Sequence, residues 1–538
     1  MSESDHSHPS ESTSPQPSQN TNTSKPEEVG IKPPAEVPEI PQPSRSTLVP
    51  DLSRGRRPDD KTVKQSRSGP SVLMMIALAL GAALVGILVA KWLMTPGEVF
   101  NKELMAELVD VPLQTQFLIS VEDETEWPQW RGPYRDGIAY GADIITDWPQ
   151  DLLKTRKAWE VSLGDGYSSV VVANKRAYTM VQDGVRTEAV ICWDAESGKE
   201  LWRFRYEADY QVQFGPSPRS TPSIDGDRIY TVSGNGILHC LKTKPNSTKG
   251  EKVWSVDLID EFDAQIPRWG VSFSPLVLGG LVYVTPGGQD GRAVAALDKL
   301  TGETKWTAFP GTAGYSSPVA AVIGGKEQVL FMTGNGIGGL SPQDGSKYWW
   351  YDWRTPHKVN AATPIVARDH VFISSGYGRG CALLKIGPKD DETIGSQLVY
   401  ATRGMNNHFN SSVLHDEHLY GFDDQYLTCM NLRTAKVKWK VRATQDAKNL
   451  GKGSVLLVKS PKPPEESFTK NHLIVLSDTG RLVFAKAQPE KYEQLHEVQV
   501  FQRGECWTVP TLAKGRLYLR SKHRLVCLDL RRDRSQKN

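Results

Sequence analysis

Over the C-terminal three quarters of the chain, short apolar runs alternate with turns rich in Gly, Asp and Asn, and the pattern repeats. One unit reads STPSIDGDRIYTVSGNGILHCLK at residues 220–242. SPLVLGGLVYVTPGGQDGRAVAALD at 274–298 and VPTLAKGRLYLRSKHRLVCLD at 509–529 follow the same plan. Each holds an apolar strand, a turn, an aromatic-rich strand, a second turn and a third strand ending near Leu-Asp, the signature of a β-meander.

Tryptophan marks a fourth strand. Asp194 to Trp202 and Asp298 to Trp306 are eight positions apart, and Ser341 to Trp349 and Asn431 to Trp439 keep the interval. The stretch from Lys242 to Trp254 has a few residues inserted. Gly198, or its substitute in other units, turns the chain into this strand, where Trp can wedge between neighbouring sheets.

First strands begin near Ser168, Ser220, Ser274, Ser317, Thr363, Ser411, Ser454 and Val509, which predicts eight four-stranded units. The last stops at Leu530 without a Trp strand, while an unattached one, Lys157–Leu163 with Trp159, precedes the first. The expected fold is therefore all-β: an eight-bladed β-propeller closed by an N-terminal strand. Structural Trp positions are Trp159, Trp202, Trp254, Trp306, Trp349 and Trp439.

The N-terminal part is different. Residues 1–50 hold ten Pro and ten Ser and cannot bury enough apolar surface to offset ordering, which predicts a disordered tail. Ser71 to Ala90 is uncharged and apolar, and as a helix of ~1.5 Å per residue it reaches across a bilayer core. Arg54, Arg56, Arg57, Lys61, Lys64 and Arg67 precede it; Lys91 and Lys102 follow among several acids. By the positive-inside rule the tail is cytosolic and the rest extracytoplasmic. The expected organisation is a disordered cytosolic tail (1–70), a transmembrane helix (71–94), a juxtamembrane connector with a short helix (95–125), the propeller (126–531) and a C-terminal tail (532–538). In a bacterium this is a single-pass inner-membrane protein with a periplasmic propeller.

Composition narrows the function. A net charge of +2 over 538 residues argues against a nucleic-acid binder. Six cysteines are too sparse for a disulfide scaffold. Cys192, Cys240, Cys429 and Cys527 recur at one place in their units, where Ala295 stands in another, and equivalent positions on a ring lie beyond disulfide reach. They read as small buried hydrophobes, and no structural disulfide is expected.

Trp193-Asp194-Ala-Glu-Ser-Gly-Lys-Glu-Leu-Trp202 and Leu297-Asp298-Lys-Leu-Thr-Gly-Glu-Thr-Lys-Trp306 resemble the pyrroloquinoline-quinone (PQQ) type propeller repeat. Trp127-Pro-Gln-Trp130-Arg-Gly-Pro-Tyr-Arg-Asp-Gly137 resembles the opening of many bacterial PQQ-like propellers. One branch of that family, the quinoprotein alcohol dehydrogenases, implies PQQ beside Ca²⁺ in the funnel, a catalytic Asp and often a vicinal Cys-Cys. No such Cys pair and no haem-attaching Cys-x-x-Cys-His occurs in the chain. The other branch, cofactor-free propellers similar to BamB, implies a periplasmic scaffold that binds protein partners. The expectation is thus a tethered, non-catalytic binding or scaffold module with no cofactor, whose partners are an envelope protein or peptide and, through residues 71–94, the bilayer. A PQQ-dependent dehydrogenase and a carbohydrate-binding propeller are the alternatives.

In a propeller, residues just before each first strand face one mouth of the channel. Here these are Tyr167, Arg219, Trp269, Tyr315, Asn360, His408, Asn410, Lys452 and Trp507, with Arg219, Trp269 and Trp507 the preferred anchors. His415-Asp-Glu-His418 and Asp423-Asp424 read as solvated turns, and Tyr348–Trp353 as inter-blade packing.

Overall fold

The computed structural model describes residues 97–532, apart from 110, 210–217, 244–246, 390–392, 445–447, 461–470 and 503–504. The expected cytosolic tail, the expected membrane span 71–94 and residues 533–538 lie outside the described residues. Among those described, no helix is long and apolar enough to cross a membrane.

Eight four-stranded antiparallel meanders follow one another. Counted from the inner strand outward they are blade 1 (171–207), blade 2 (223–257), blade 3 (276–308), blade 4 (319–352), blade 5 (365–402), blade 6 (413–441), blade 7 (454–499) and blade 8 (511–529). Lys157–Ser162 is the outer strand of blade 8, pairing Trp159 with Cys527. Both ends of the propeller therefore share one sheet, and the ring closes by strand hydrogen bonds.

The apolar core lies between blades. Among the described residues seven clusters tile the eight junctions; the largest joins blades 7, 8 and 1. Alternation explains this: each strand sends successive side chains to opposite sheet faces, and both faces meet a neighbouring blade. The recurring tryptophans cross these junctions. Trp159, Trp254, Trp306 and Trp439 donate their indole N–H to Ala195, Lys299, Pro342 and Gln488 carbonyls of the following blade, at 2.9–3.3 Å. Trp349 instead turns to Gln328 of its own blade, at 2.7 Å.

Opposite the Trp stands a small residue: Cys192, Cys240, Cys429 and Cys527 pair with Trp202, Trp254, Trp439 and Trp159. In blade 3 the partner of Trp306 is Ala296, one position beyond the expected Ala295. All six cysteines are buried and free.

The segment read as a connector is part of the propeller. Val99–Phe100 adds to the outer edge of blade 5, and the helix Lys102–Glu107, capped by Asn101, buries Leu104 against blades 5 and 6. Gln116–Phe117 adds to the inner strand of blade 4. The expected boundary at 126 is too late by about the length of this wrap. The physical reason is that exposed edge strands invite pairing, and here the chain's own N-terminal residues supply it.

Candidate functional site

Strand direction gives the ring two unlike mouths. First-to-second-strand turns open at one; the loops entering each first strand, together with second-to-third-strand turns, open at the other.

The first mouth is crossed by the chain itself, which leaves a cavity of about 1090 Å³ between Phe117, Tyr134 and Tyr140 and the turns of blades 4 to 6. Residues 115–140 form a plug that bonds to every blade. Trp127 exchanges two backbone hydrogen bonds with Val172 of blade 1, and the Pro128 carbonyl accepts from Ile224 of blade 2. Arg135 donates to the Ser274 and Pro275 carbonyls entering blade 3, at 2.8 and 2.9 Å. Phe117 pairs with Ala321 of blade 4, and the Trp130 indole donates to Thr363 at blade 5. Arg131 donates to the Ser411 and Ser412 carbonyls at blade 6. Ile138–Ala139 runs parallel to Leu457–Val458 of blade 7, and the Lys514 N–H of blade 8 donates to Thr125.

Arg131 and Arg135 are 1–2% exposed. Burial lowers both guanidiniums, to about 10 and about 9, so both remain charged at neutral pH. Asp136, beside Arg131, is pushed up to about 6 by burial, against the hydrogen bonds it accepts from Tyr140 and Ile138. Gly137 turns at φ +80°, where an added Cβ would stand 2.7 Å from the Arg131 guanidinium. Sequence reading recognised this stretch only as an opening motif; its partners lie as far along the chain as Lys514, and no periodicity marks them.

The second mouth carries the residues singled out from sequence, and it brings six of them together. Tyr167 and Trp507 stack at 5.0 Å, and the Arg219 guanidinium lies 5.3 Å from the Tyr167 ring. The contact chain continues from Trp507 to Phe409 (5.4 Å), His408 (5.5 Å), Tyr377 (4.8 Å), His357 (6.3 Å), Trp269 (6.3 Å) and Tyr315 (5.8 Å). Arg268 lies over Trp269 at 5.1 Å. Phe409, His357 and Arg268 lie in the same entering loops but were not singled out, and Tyr377 was missed by considering only the residues that enter first strands. Tyr377 sits on a second-to-third-strand turn, and antiparallel order alone puts that turn at the same mouth.

The other predicted positions differ. Asn360 is fully buried and does not line the mouth. Its amide donates to the Thr333 and Trp353 carbonyls and accepts from Ser375, making it a strut between blades 4 and 5. Asn410 likewise bridges to the Lys452 and Gly453 carbonyls. Lys452 pairs with Asp424 at 2.9 Å. The two turns read as solvated are only partly so: His415 is buried against Asn471, and Asp423 is a buried strand residue paired with Lys440.

Electrostatics at the second mouth follow from half-burial near cations. Burial, then Lys452, lowers His408 to about 4, so its ring is neutral near pH 7. Burial pushes Tyr315 up to about 12, while Arg219 and Arg268 act in the opposite sense.

PQQ with Ca²⁺ needs convergent oxygen ligands for the cation and a flat slot for the quinone. Among the described residues no three His, Cys, Asp or Glu side chains converge, and Arg131 and Arg135 place two cations inside the ring.

The family model described as Outer membrane protein assembly factor BamB matches residues 186–441, and over that span the chain carries BamB-like PQQ-type repeats. No curated protein sequence matches. Among solved structures, BamB from Moraxella catarrhalis is 17% identical, covering 78% of this chain and 99% of that one, with a TM-score of 0.35. The quinohemoprotein alcohol dehydrogenase from Comamonas testosteroni is 13% identical, covering 76% and 81%, with a TM-score of 0.48. The computationally designed Ika8 protein is 12% identical, covering 69% and 99%, with a TM-score of 0.44.

Proposed function

We propose that this BamB-like propeller is a non-catalytic recognition module of the cell envelope, binding a protein or peptide partner at the mouth around Tyr167, Arg219, Trp269, Tyr315, His408 and Trp507. In this reading residues 71–94 tether it to the inner membrane, residues 1–70 stay in the cytosol, and the propeller works in the periplasm without a cofactor.

One observation carries the reading: aromatic and cationic side chains converge round one mouth. Trp, Tyr and Arg are the side chains that dominate protein interfaces, because each offers a large contact area and a directed polar group.

Partner binding by strand addition, the other mode open to a propeller, is disfavoured by a feature of all eight blades. The third-to-fourth-strand ladder slips by one residue beside the Trp position or its equivalent. A bulge there twists the outer edge; among the described residues blade 5 alone carries a further strand on it, the chain's own Val99–Phe100.

Crosslinked pull-down from envelopes tests the reading, comparing the parent with a variant carrying Arg219→Ala, Trp269→Ala and Trp507→Ala. Recovery of the parent's specific partner drops in the variant. Unchanged recovery overturns the role of the mouth. Stoichiometric uptake of PQQ and Ca²⁺ with dye-linked alcohol oxidation overturns the non-catalytic reading, and selective retention on a glycan array replaces the protein partner by a carbohydrate.

A further inference from the structure

The mouth is chemically uneven. Its blade 4–5 sector carries Arg354, Lys358 and Arg379 on adjacent tips, linked by a 3.2 Å hydrogen bond from the Arg379 Nε to the Arg354 carbonyl. Among the described residues none of these three cations has a carboxylate within ion-pair distance, whereas Lys452 farther round the rim is paired. The Arg379 guanidinium carbon lies over the buried Trp353 ring, 3.4 Å from its centroid, which holds the guanidinium fork in place.

The same tips are strained. His357, Lys358 and Tyr377 adopt φ of +62°, +59° and +58°, a region that side chains other than Gly rarely enter. Two of these residues are consecutive, and the third presents a ring that is 43% exposed.

We infer that this sector binds an acidic peptide segment of the partner, carboxylates meeting Arg354, Lys358 and Arg379 while an apolar or aromatic side chain packs against Tyr377 and Trp269. The inference rests on the reading of the mouth as a protein-binding site and adds the chemistry of its occupant. A peptide is favoured over an anionic sugar because sugars stack on flat, open ring faces. Here Arg268 covers Trp269, and Tyr315 and His357 approach it at 56° and 90°. Such tilted rings suit branched and aromatic side chains, and guanidinium edges suit carboxylates.

The test is fluorescence anisotropy of the purified full-length chain with a labelled synthetic peptide alternating glutamate and tyrosine. Binding is saturable, weakens with added salt, and falls at least about ten-fold in Arg354→Glu/Lys358→Glu, whose side chains are exposed so that the melting temperature stays put. Arg379→Lys, which keeps the charge but not the fork, gives a smaller loss. Equal binding of the lysine–tyrosine counterpart, unchanged affinity in the double variant, or displacement of the peptide by a uronic-acid oligosaccharide overturns the inference. If the Arg219, Trp269 and Trp507 variant loses the envelope partner while Arg354→Glu/Lys358→Glu keeps it, the acidic-peptide assignment falls and the mouth stands. If the acidic peptide binds as described but partner recovery never depends on the mouth, the assignment stands and the proposed function falls.

Discussion

His239 sits between blades 1 and 2 with 5% exposure, its ring 4.5 Å from Tyr206 and 5.9 Å from Phe204. Among the described residues neither ring nitrogen has a hydrogen-bond partner. Burial, then Lys252, lowers its pKa from the ordinary 6.5 to about 4. Between those values the unfolded chain takes up a proton that the folded chain refuses. Its stability contribution is therefore whole above pH 6.5 and is lost as pH falls toward about 4. His370 and His408 are lowered in the same way and add to the slope. His239→Phe, which keeps the packing and removes the proton site, should raise stability near pH 5 by ~1 kcal/mol or more relative to its effect near pH 7. Thermal melts at the two pH values check this; an unaltered difference between them rejects the assignment.

At the scale of elements, the closing strand Lys157–Ser162 is tied to blade 8 by hydrogen bonds and side chains alone, with no connecting turn. Trp159 seats it. Its indole donates to Ala195, its ring meets Tyr518 at 5.7 Å, and its face lies over Gly198, where an added Cβ would stand 2.5 Å away. Gly198 turns at φ +71°, so both conformation and space demand glycine there. Trp159→Ala should cost ~3–5 kcal/mol. The loss should exceed that of Trp306→Ala, whose strand follows its neighbour through a short turn and stays in place. Denaturant titration with intrinsic fluorescence compares the two; equal losses would mean the closing strand is no weaker than any other.

This layer of the fold was legible because it repeats: one Trp or one Leu-Asp turn means little, whereas the same interval recurring along the chain specifies blades. The repeated Ser and Thr that marked first strands also have a physical role. Backbone N–H groups of Val509, Ser169, Thr221, Ser274 and Thr363 each donate to a hydroxyl of the next blade, at 2.9–3.1 Å. What was not legible, the plug and the blade 5 edge strand, is a single-copy arrangement. Arg135 is 139 residues from Ser274 and Val99 is about three hundred from its ladder partner, with no local pattern linking them. The candidate site was half legible for a related reason: the entering loops were countable, but Asn360 faces inward and Tyr377 comes from a turn that the repeat treats as filler.

For the molecule as a whole, the plug converts a ring of pairwise contacts into a hub. Arg131 is the clearest test, since its fork serves the Ser411, Ser412 and Asp136 carbonyls while its charge faces Asp136. Arg131→Ala takes the donor from these three carbonyls and the facing charge from Asp136, and should cost about 3 kcal/mol or more. The melting temperature should drop in a single cooperative transition. A separate early transition, or none, would show that the plug rides on the ring without bracing it.

The hub also constrains ancestry. Tandem units ordinarily gain and lose members by duplication and deletion, since each touches only its neighbours. Here one unduplicated stretch reaches each of eight inner strands in a different way, so a ninth copy would find no anchor and a missing copy would leave one dangling. The loops at the far rim are free to diversify toward new ligands, while the order of symmetry is locked by a segment that never takes part in the repeat.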